Sequence, residues 1–351
     1  MKNNNNNATE NMSLEQMVKT LYINSQKKED TTKYEGRTIL VNAFIEEWIQ
    51  TKRDTDNITQ KTYENYESRY NNHIKPFFTG MYLTDIAYST LTAFIKTLVD
   101  KTTISTQTVH DIVRVLSIAL NDAVVRELIP KNPVQHVPLP KIRIKKEVPS
   151  ITVDEIRKLY AVNKKHHYSI AIPILAQTGM RKGELLALTW DDLQYNEITN
   201  TWGLTINKKV SASKDNHIEH FTKTQEGMRT IIIPPALAEL MLQFKEEQQR
   251  NAKTYIISQK RQNKREDYRN FHRTMEAWIK KAGIREDLST HSFRHAFATQ
   301  LFIQHVPFDA IKQQGGWSDD AMPRHYACEA QTAVLKVEGA EAIGKIYEGI
   351  F

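Results

Sequence analysis

The segment IPKNPVQHVPLPKIRIKK, residues 129–146, divides the sequence into two parts of different character. Its prolines, Pro130, Pro133, Pro138 and Pro140, remove backbone donors and favour extended chain, and Lys141, Arg143, Lys145 and Lys146 follow them. A stretch of this kind joins domains, and residues 137–149 read as a basic linker. Upstream, Ile39, Leu40, Ala43, Phe44, Trp48 and Ile49 recur at helical spacing and mark one buried stripe. A second helix is predicted from about Thr59, with Tyr63, Tyr66 and Tyr70, stopping at His73-Ile74-Lys75-Pro76 where proline breaks the run. Thr84 and Asp85 open a third, with Leu91, Phe94, Ile95 and Leu98 inward. A fourth runs from about Thr106 to Leu128 through Val109, Ile112, Val113, Leu116, Leu120 and Val124. Residues 38–136 therefore read as one small all-helical domain.

Downstream the pattern is mixed. Thr152 and Glu155 form a capping-box signature ahead of Ile156 and Leu159. A helix over Tyr168–Ala176 is expected to end at Thr178-Gly179, and another to begin near Lys182–Leu188. Strand-like runs lie at Trp202–Ile206, His217–Phe221 and Arg229–Ile233, and beyond Pro234-Pro235 the chain reads as helical to its end. The fold class is mainly α, with a small antiparallel β-sheet in the second domain, residues 150–351. Residues 1–37 begin with Asn3 to Asn7 and read as a disordered or short-helix segment, in which Leu14, Met17, Val18 and Leu21 share one face.

Composition excludes several classes. At 351 residues and 40% hydrophobic, the chain has material for two cores and is not wholly disordered. No apolar run approaches the ~18–20 residues of a membrane helix, no secretory signal is visible, and the single cysteine, Cys328, excludes an intrachain disulfide. The balance of 48 Lys+Arg against 41 Asp+Glu, net +7, favours a polyanionic partner without demanding one. The linker charge is either a solvated tether or a strip along a phosphate backbone.

Four local patterns carry chemistry, and each has a plain structural reading beside it. In Thr178-Gly179-Met180-Arg181-Lys182-Gly183-Glu184, an arginine at a helix start suits an anion, or is a surface Arg near a cap. Lys223, in FTKTQEG between two β-like runs, is a hairpin-tip lysine or a proton donor reaching into a cleft. In His291-Ser292-Phe293-Arg294-His295, residues three apart share a face, so His291 and Arg294 could grip one ligand, while His295 lies elsewhere and reads as structural. In Gly315-Gly316-Trp317-Ser318 and Arg324-His325-Tyr326, Trp317 reads as a core anchor and Tyr326 as one helix residue among fourteen tyrosines.

Taken in order, Arg, Lys, HxxR, G-[H/W]-S and Tyr make the chain resemble the tyrosine recombinase (phage integrase) family, over roughly residues 38–330. TGMRKGELLALTW, FTKTQEGMRTIIIP, HSFRHAFAT and GGWSDDAMPRHYA carry the likeness. NITQKTYENY and ALNDAVVRELIPKNP look like the family's core-binding domain. The resemblance implies a two-domain, C-shaped DNA clamp that cuts DNA without metal or nucleotide cofactor through a covalent tyrosyl 3′-phosphate. Tyr326 would be the nucleophile, and Arg181 and Arg294 the clamp on the non-bridging oxygens. His291 and Trp317 would contact the same phosphate, and Lys223 would protonate the leaving 5′ oxygen. Glu184 matches the family's acidic position and would orient active-site groups. Trp317 stands where the family usually has His; its indole N–H can donate a hydrogen bond but cannot shuttle a proton.

Further implications are a homotetramer on two duplexes of double-stranded DNA, with residues 327–351 as a docking tail, and no complete arm-binding domain within residues 1–37. An excisionase or DNA-bending accessory protein would leave no mark in this sequence. A bacterial, cytoplasmic, nucleoid-associated protein with no membrane contact follows, and integration and excision of a phage or integrative conjugative element is the leading role. A Xer-like dimer resolvase, a type IB topoisomerase or a non-catalytic DNA-binding regulator are the alternatives. Lys61, Arg69, Arg114, Lys141, Arg143, Lys145, Lys146 and Lys214 are the candidate DNA contacts. A metal at His217-Ile218-Glu219-His220 is disfavoured, because the two His would face opposite ways in a strand.

Overall fold

The apolar stripe after Thr38 forms a helix, α1 (Val41–Thr55), that buries Val41, Phe44, Ile45, Trp48 and Ile49. The computed structural model describes residues 37–55, 58–101, 104–141, 150–221, 228–247, 254–259, 264–317, 320–321 and 324. It divides into two units, Met1–Lys145 and Lys146–Phe351.

In the first unit, α2 (Gln60–Arg69) starts at Thr59, whose hydroxyl accepts from the Thr62 backbone N–H at 3.2 Å. It does not stop before Pro76. The chain widens into a π turn over Tyr70–Ile74, with the Lys75 N–H bonded to the Tyr70 carbonyl, and continues as α3 (Lys75–Phe78). Pro76 follows immediately, in the first turn of that segment, so the wider π turn lies just before the position that lacks a backbone N–H. Helices α4 (Tyr88–Asp100) and α5 (Thr106–Val125) complete the set. Phe77, Phe78 and Phe94 meet with ring centroids 5.0–5.1 Å apart, and each buried Phe contributes about 1.5–3 kcal/mol. Trp48 Nε1 donates to Asp122 Oδ2 at 2.8 Å, tying α1 to α5.

The prolines after α5 are anchored to this unit. Asn132 Nδ2 bonds the Ser117 carbonyl and Asn121 Oδ1 at 3.0 and 2.7 Å. Val137 is buried, Leu139 packs on the same core, and His110 Nε2 lies 2.8 Å from the Pro140 carbonyl. Residues 142–149, which include Arg143, Lys145 and Lys146, lie outside the described residues.

The second unit opens with α6 (Val153–Asn163), capped as the sequence predicts: the Thr152 hydroxyl accepts from the Glu155 N–H, and Glu155 Oε2 from the Thr152 N–H. Next come α7 (Ala171–Thr178) and α8 (Lys182–Ala187). The strands β1 (Leu193–Asn196), β2 (Thr201–Ile206) and β5 (Arg229–Ile233) form an antiparallel sheet in the order β1-β2-β5, with Leu204 opposite Ile231. Between them, β3 (Lys208–Val210) and β4 (Ile218–His220) make a separate hairpin. No sequence pattern marks β1 or β3. β1 exposes most of its side chains and β3 is three residues long, so neither shows the alternation of a half-buried strand.

Helices α9 (Pro235–Glu247), α10 (Tyr268–Lys281), α11 (Thr290–Ile303) and α12 (Phe308–Gly315) follow. Contrary to expectation this stretch is not continuously helical. The described residues between α9 and α10, 254–259 and 264–267, are not helical and carry isolated bridges Thr189 to Tyr255 and Ser258 to Arg265. The Trp190 N–H donates to the Thr254 carbonyl and the Ile256 N–H to the Leu188 carbonyl, at 3.1 and 2.9 Å. No helix among the described residues is long and apolar enough to cross a membrane, and no group of three or more His, Cys, Asp or Glu there could hold a metal ion.

Candidate active site

The end of α7 and the start of α8 place the first two groups. Gly179 closes α7 at φ +59°, and a Cβ there would come within 2.4 Å of the Phe297 ring. Both the left-handed backbone and the close approach of α11 therefore require glycine. The freed Gly179 carbonyl accepts from Arg294 Nη1 at 2.9 Å. Two residues on, Arg181 caps α8 with extended backbone. Its N–H donates to Glu184 Oε2 at 2.9 Å and its Nη1 to Glu184 Oε1 at 3.0 Å. The short motif is thus a turn, a guanidinium and the carboxylate that orients it.

α11 supplies the second pair. Ser289 caps it, His291 lies in its first turn, and Arg294 follows one turn later, only 2% exposed. The Arg294 guanidinium lies over the Trp317 ring at 3.9 Å. Trp317 is itself buried and packs with Ala298 and Ile311. Its placement depends on the two glycines before it. A Cβ on Gly315 would meet the indole at 1.7 Å, and Gly316 takes φ +64° at the end of α12. The Gly316 carbonyl accepts from Arg181 Nη2 at 3.2 Å, joining the α12 turn to the α8 start.

The electrostatics are set by one buried anion and its cations. Burial opposes the charge of Glu184, but the Arg229 hydrogen bond, the Arg229 and Arg181 charges and the Arg181 N–H outweigh it and hold its pKa below the usual carboxylate value. His291 is exposed, yet the partial burial of its ring, then the charges of Arg294 and Arg181 and the neighbouring His295, lower its pKa. A neutral imidazole beside two guanidiniums is able to accept a proton. The arrangement offers fixed cationic donors to an anion and a base beside them.

The structure brings Arg181, Glu184, His291, Arg294 and Trp317 together. Lys223 and Tyr326 lie outside the described residues. His295 is buried, 4% exposed, as its structural reading implies. Among the candidate contacts, Lys61 pairs with Glu64 at 3.8 Å and Arg69 with Asp111 at 3.1 Å, while Arg114, Lys141 and Lys214 are exposed. The sequence reading missed Arg229, whose Nη2 donates to Glu184 Oε2 at 2.8 Å. A signal was present: period-two alternation in RTIII puts that arginine on the same face as Ile231 and Ile233, and a cation on a buried face needs a partner.

Comparison with known proteins agrees with this geometry. Residues 149–332 match the model of the phage integrase family, and residues 40–99 that of the phage integrase N-terminal SAM-like domain. A tyrosine recombinase XerC-like protein of Caldanaerobacter subterraneus is 25% identical over 281 residues, 74% of this chain and 71% of the relative. The ICEBs1 integrase of Bacillus subtilis is 26% identical over 272 residues, 72% of this chain and 70% of the relative. The Tn1549 transposon integrase in complex with transposon right end DNA superposes with TM-score 0.69 at 17% identity, over 84% of this chain and 98% of that one. A lambda integrase tetramer bound to a Holliday junction gives TM-score 0.65 at 19% identity, over 82% and 76%.

Proposed function

This chain belongs to the phage integrase family of DNA strand-cleaving and rejoining enzymes, and we propose that it works through Tyr326 on a phosphate held by Arg181 and Arg294. The observation that carries this reading is the convergence of those two guanidiniums with His291 and Trp317, fixed through Gly179, Glu184 and Gly316. In the proposed step the Tyr326 oxygen bonds to phosphorus and the P–O5′ bond breaks. The phenolic proton passes to His291, and Lys223 protonates the leaving 5′ oxygen. Charge grows on the non-bridging oxygens as this happens, and preorganised guanidiniums stabilise it without reorganising. The 3′-phosphotyrosine keeps the phosphodiester's bond energy, so a second 5′ hydroxyl reverses the step and rejoins the strands. A tyrosine of ordinary pKa ~10 needs this cationic field and a neighbouring base to act near neutral pH.

Integration and excision of a mobile element is the role we favour, supported by the likeness to the ICEBs1 and Tn1549 integrases. The likeness to a XerC-like protein supports dimer resolution as the second reading. By analogy with the lambda integrase complex, the working form is a homotetramer on two duplexes. The reading is tested by incubating the protein with sheared, nicked genomic DNA, denaturing in SDS and sequencing the protein-linked fragments. Enriched fragments attached through a 3′ phosphate, absent with Tyr326→Phe, are expected. Good DNA binding with no adduct from either protein would favour a regulator.

A further inference from the structure

Arg229 lies at the head of β5, with its side chain only 9% exposed. Its guanidinium reaches two other elements. Nη2 and Nη1 donate to Glu184 Oε2 and Oε1 at 2.8 and 3.3 Å, and Nε donates to the Gln314 carbonyl at 3.1 Å. Two features separate it from an ordinary core ion pair. The first is how Glu184 is shared. Oε2 is occupied by Arg229 and by the Arg181 backbone N–H, so Arg181 cannot form the two-bond fork that arginine and carboxylate otherwise prefer. Arg181 is left with one bond to Oε1 and one to the Gly316 carbonyl, and its side chain stays 46% exposed.

The second is the fit to the glycine turn. A Cβ on Gly316 would lie 2.6–2.8 Å from Nη1, Cζ and Nε of Arg229. The turn that delivers Trp317 is thus moulded on this guanidinium, and Trp317 is the surface against which Arg294 stacks. One side chain therefore touches the supports of both candidate phosphate arginines.

We infer that Arg229 is a positioning residue for strand cleavage: it divides the Glu184 carboxylate between two guanidiniums and seats the Gly316 turn, so that Arg181 and Trp317 face the scissile phosphate. This rests on the proposed function above. Two guanidiniums against one carboxylate leave one net positive charge beneath the phosphate. Without Arg229, Arg181 and Glu184 form a closed neutral pair, and the N–H groups of Arg181 turn inward.

The test uses the full chain and a synthetic nicked duplex carrying a sequence captured in the adduct experiment. Duplex binding, thermal midpoint and the single-turnover rate of adduct formation are measured for wild type, Arg229→Gln, Arg229→Lys and the double variant Glu184→Gln/Arg229→Gln. Arg229→Gln is expected to slow adduct formation about 10²-fold, the usual penalty for a misplaced group, with binding changed less than about twofold. Arg229→Lys should recover about tenfold of that loss, because it restores the charge without the fork. The double variant should react no more slowly than Arg229→Gln, since the carboxylate that draws Arg181 inward is gone. Wild-type cleavage by Arg229→Gln would overturn the inference. So would a parallel fall of binding, thermal midpoint and rate with no recovery in Arg229→Lys. No adduct from the wild type itself would overturn the functional reading, and this inference with it.

Discussion

The two units of this chain are built on opposite terms with water. In the helical unit the buried polar side chains among the described residues are Glu64, Thr90 and Asn132, and the core is aliphatic and aromatic. The catalytic unit also has an apolar core, but it buries Glu184, Asp192, Glu266, Arg294 and His295 beside it. Burying charge costs free energy unless it is paired. The second unit accepts that cost at several positions, the helical unit at Glu64 alone among its described residues. Hydrophobic periodicity accounts for most of the helical unit. The catalytic unit is explained only when its ion pairs are followed to the surface, where Arg181 and His291 emerge.

The sharpest way to break this comparison is to remove a buried charge and look for a loss of chemistry. Arg294→Ala is expected to lower the single-turnover rate of adduct formation by about 10²–10³-fold, as loss of one preorganised donor does. Binding to the nicked duplex should fall far less. If rate and binding fall equally, Arg294 serves the fold and the contrast between the units fails.

The converse substitution sits in the helical unit. Leu116 is fully buried in α5, and Leu116→Ala should cost about 2–5 kcal/mol in unfolding free energy. Chemical denaturation followed by Trp fluorescence measures this, and the rate of adduct formation under saturating DNA should hold as long as the protein is folded.

The pH dependence sharpens the account of the catalytic unit. The pKa of His291 is depressed, so its neutral, proton-accepting form persists to lower pH than in an ordinary imidazole. Adduct formation should therefore be flat near neutrality and fall only as pH drops through a midpoint below about 6.5. His291→Asn should lower the rate and abolish that acid limb. An unchanged limb in the variant would assign the titration elsewhere.

The smallest effect belongs to the start of α6. Arg285 and the Thr152 cap hold the Glu155 pKa down to about 2, against its ordinary value of 4.5. A depressed carboxylate stabilises the fold above its unfolded pKa, and the contribution is lost as pH falls from about 4.5 towards 2. The arginine is half exposed, so Glu155→Gln should cost at most about 1 kcal/mol at neutral pH. The difference from wild type should vanish in acid, which thermal melts at several pH values would show.

What was legible in the sequence follows the same division. The helical unit was readable because a stripe such as Phe44, Trp48 and Ile49 states its own burial. The passage through Pro76 escaped, since a π turn has no residue signature, and so did the start of the third helix: Thr84 and Asp85 lie in a 3₁₀ turn over Leu83–Asp85, and the helix begins at Tyr88. In the catalytic unit Arg181, Glu184, His291, Arg294 and Trp317 were legible as an ordered set, each ambiguous when taken singly. Arg229 carried half a signal, its place on the inward face of β5; that its partner is Glu184, 45 residues earlier, was not readable because the pairing joins residues distant in sequence. β1 and β3 escaped for a local reason: short, exposed strands carry no alternation to read.

The central claim is that this constellation serves a tyrosine nucleophile. It is tested most directly by digesting the purified protein–DNA adduct with nuclease and protease and mapping the modified peptide by mass spectrometry. The account predicts a nucleotide linked through its 3′ phosphate to Tyr326 and to no other residue. A 5′-linked nucleotide, or attachment at a different side chain, would contradict it.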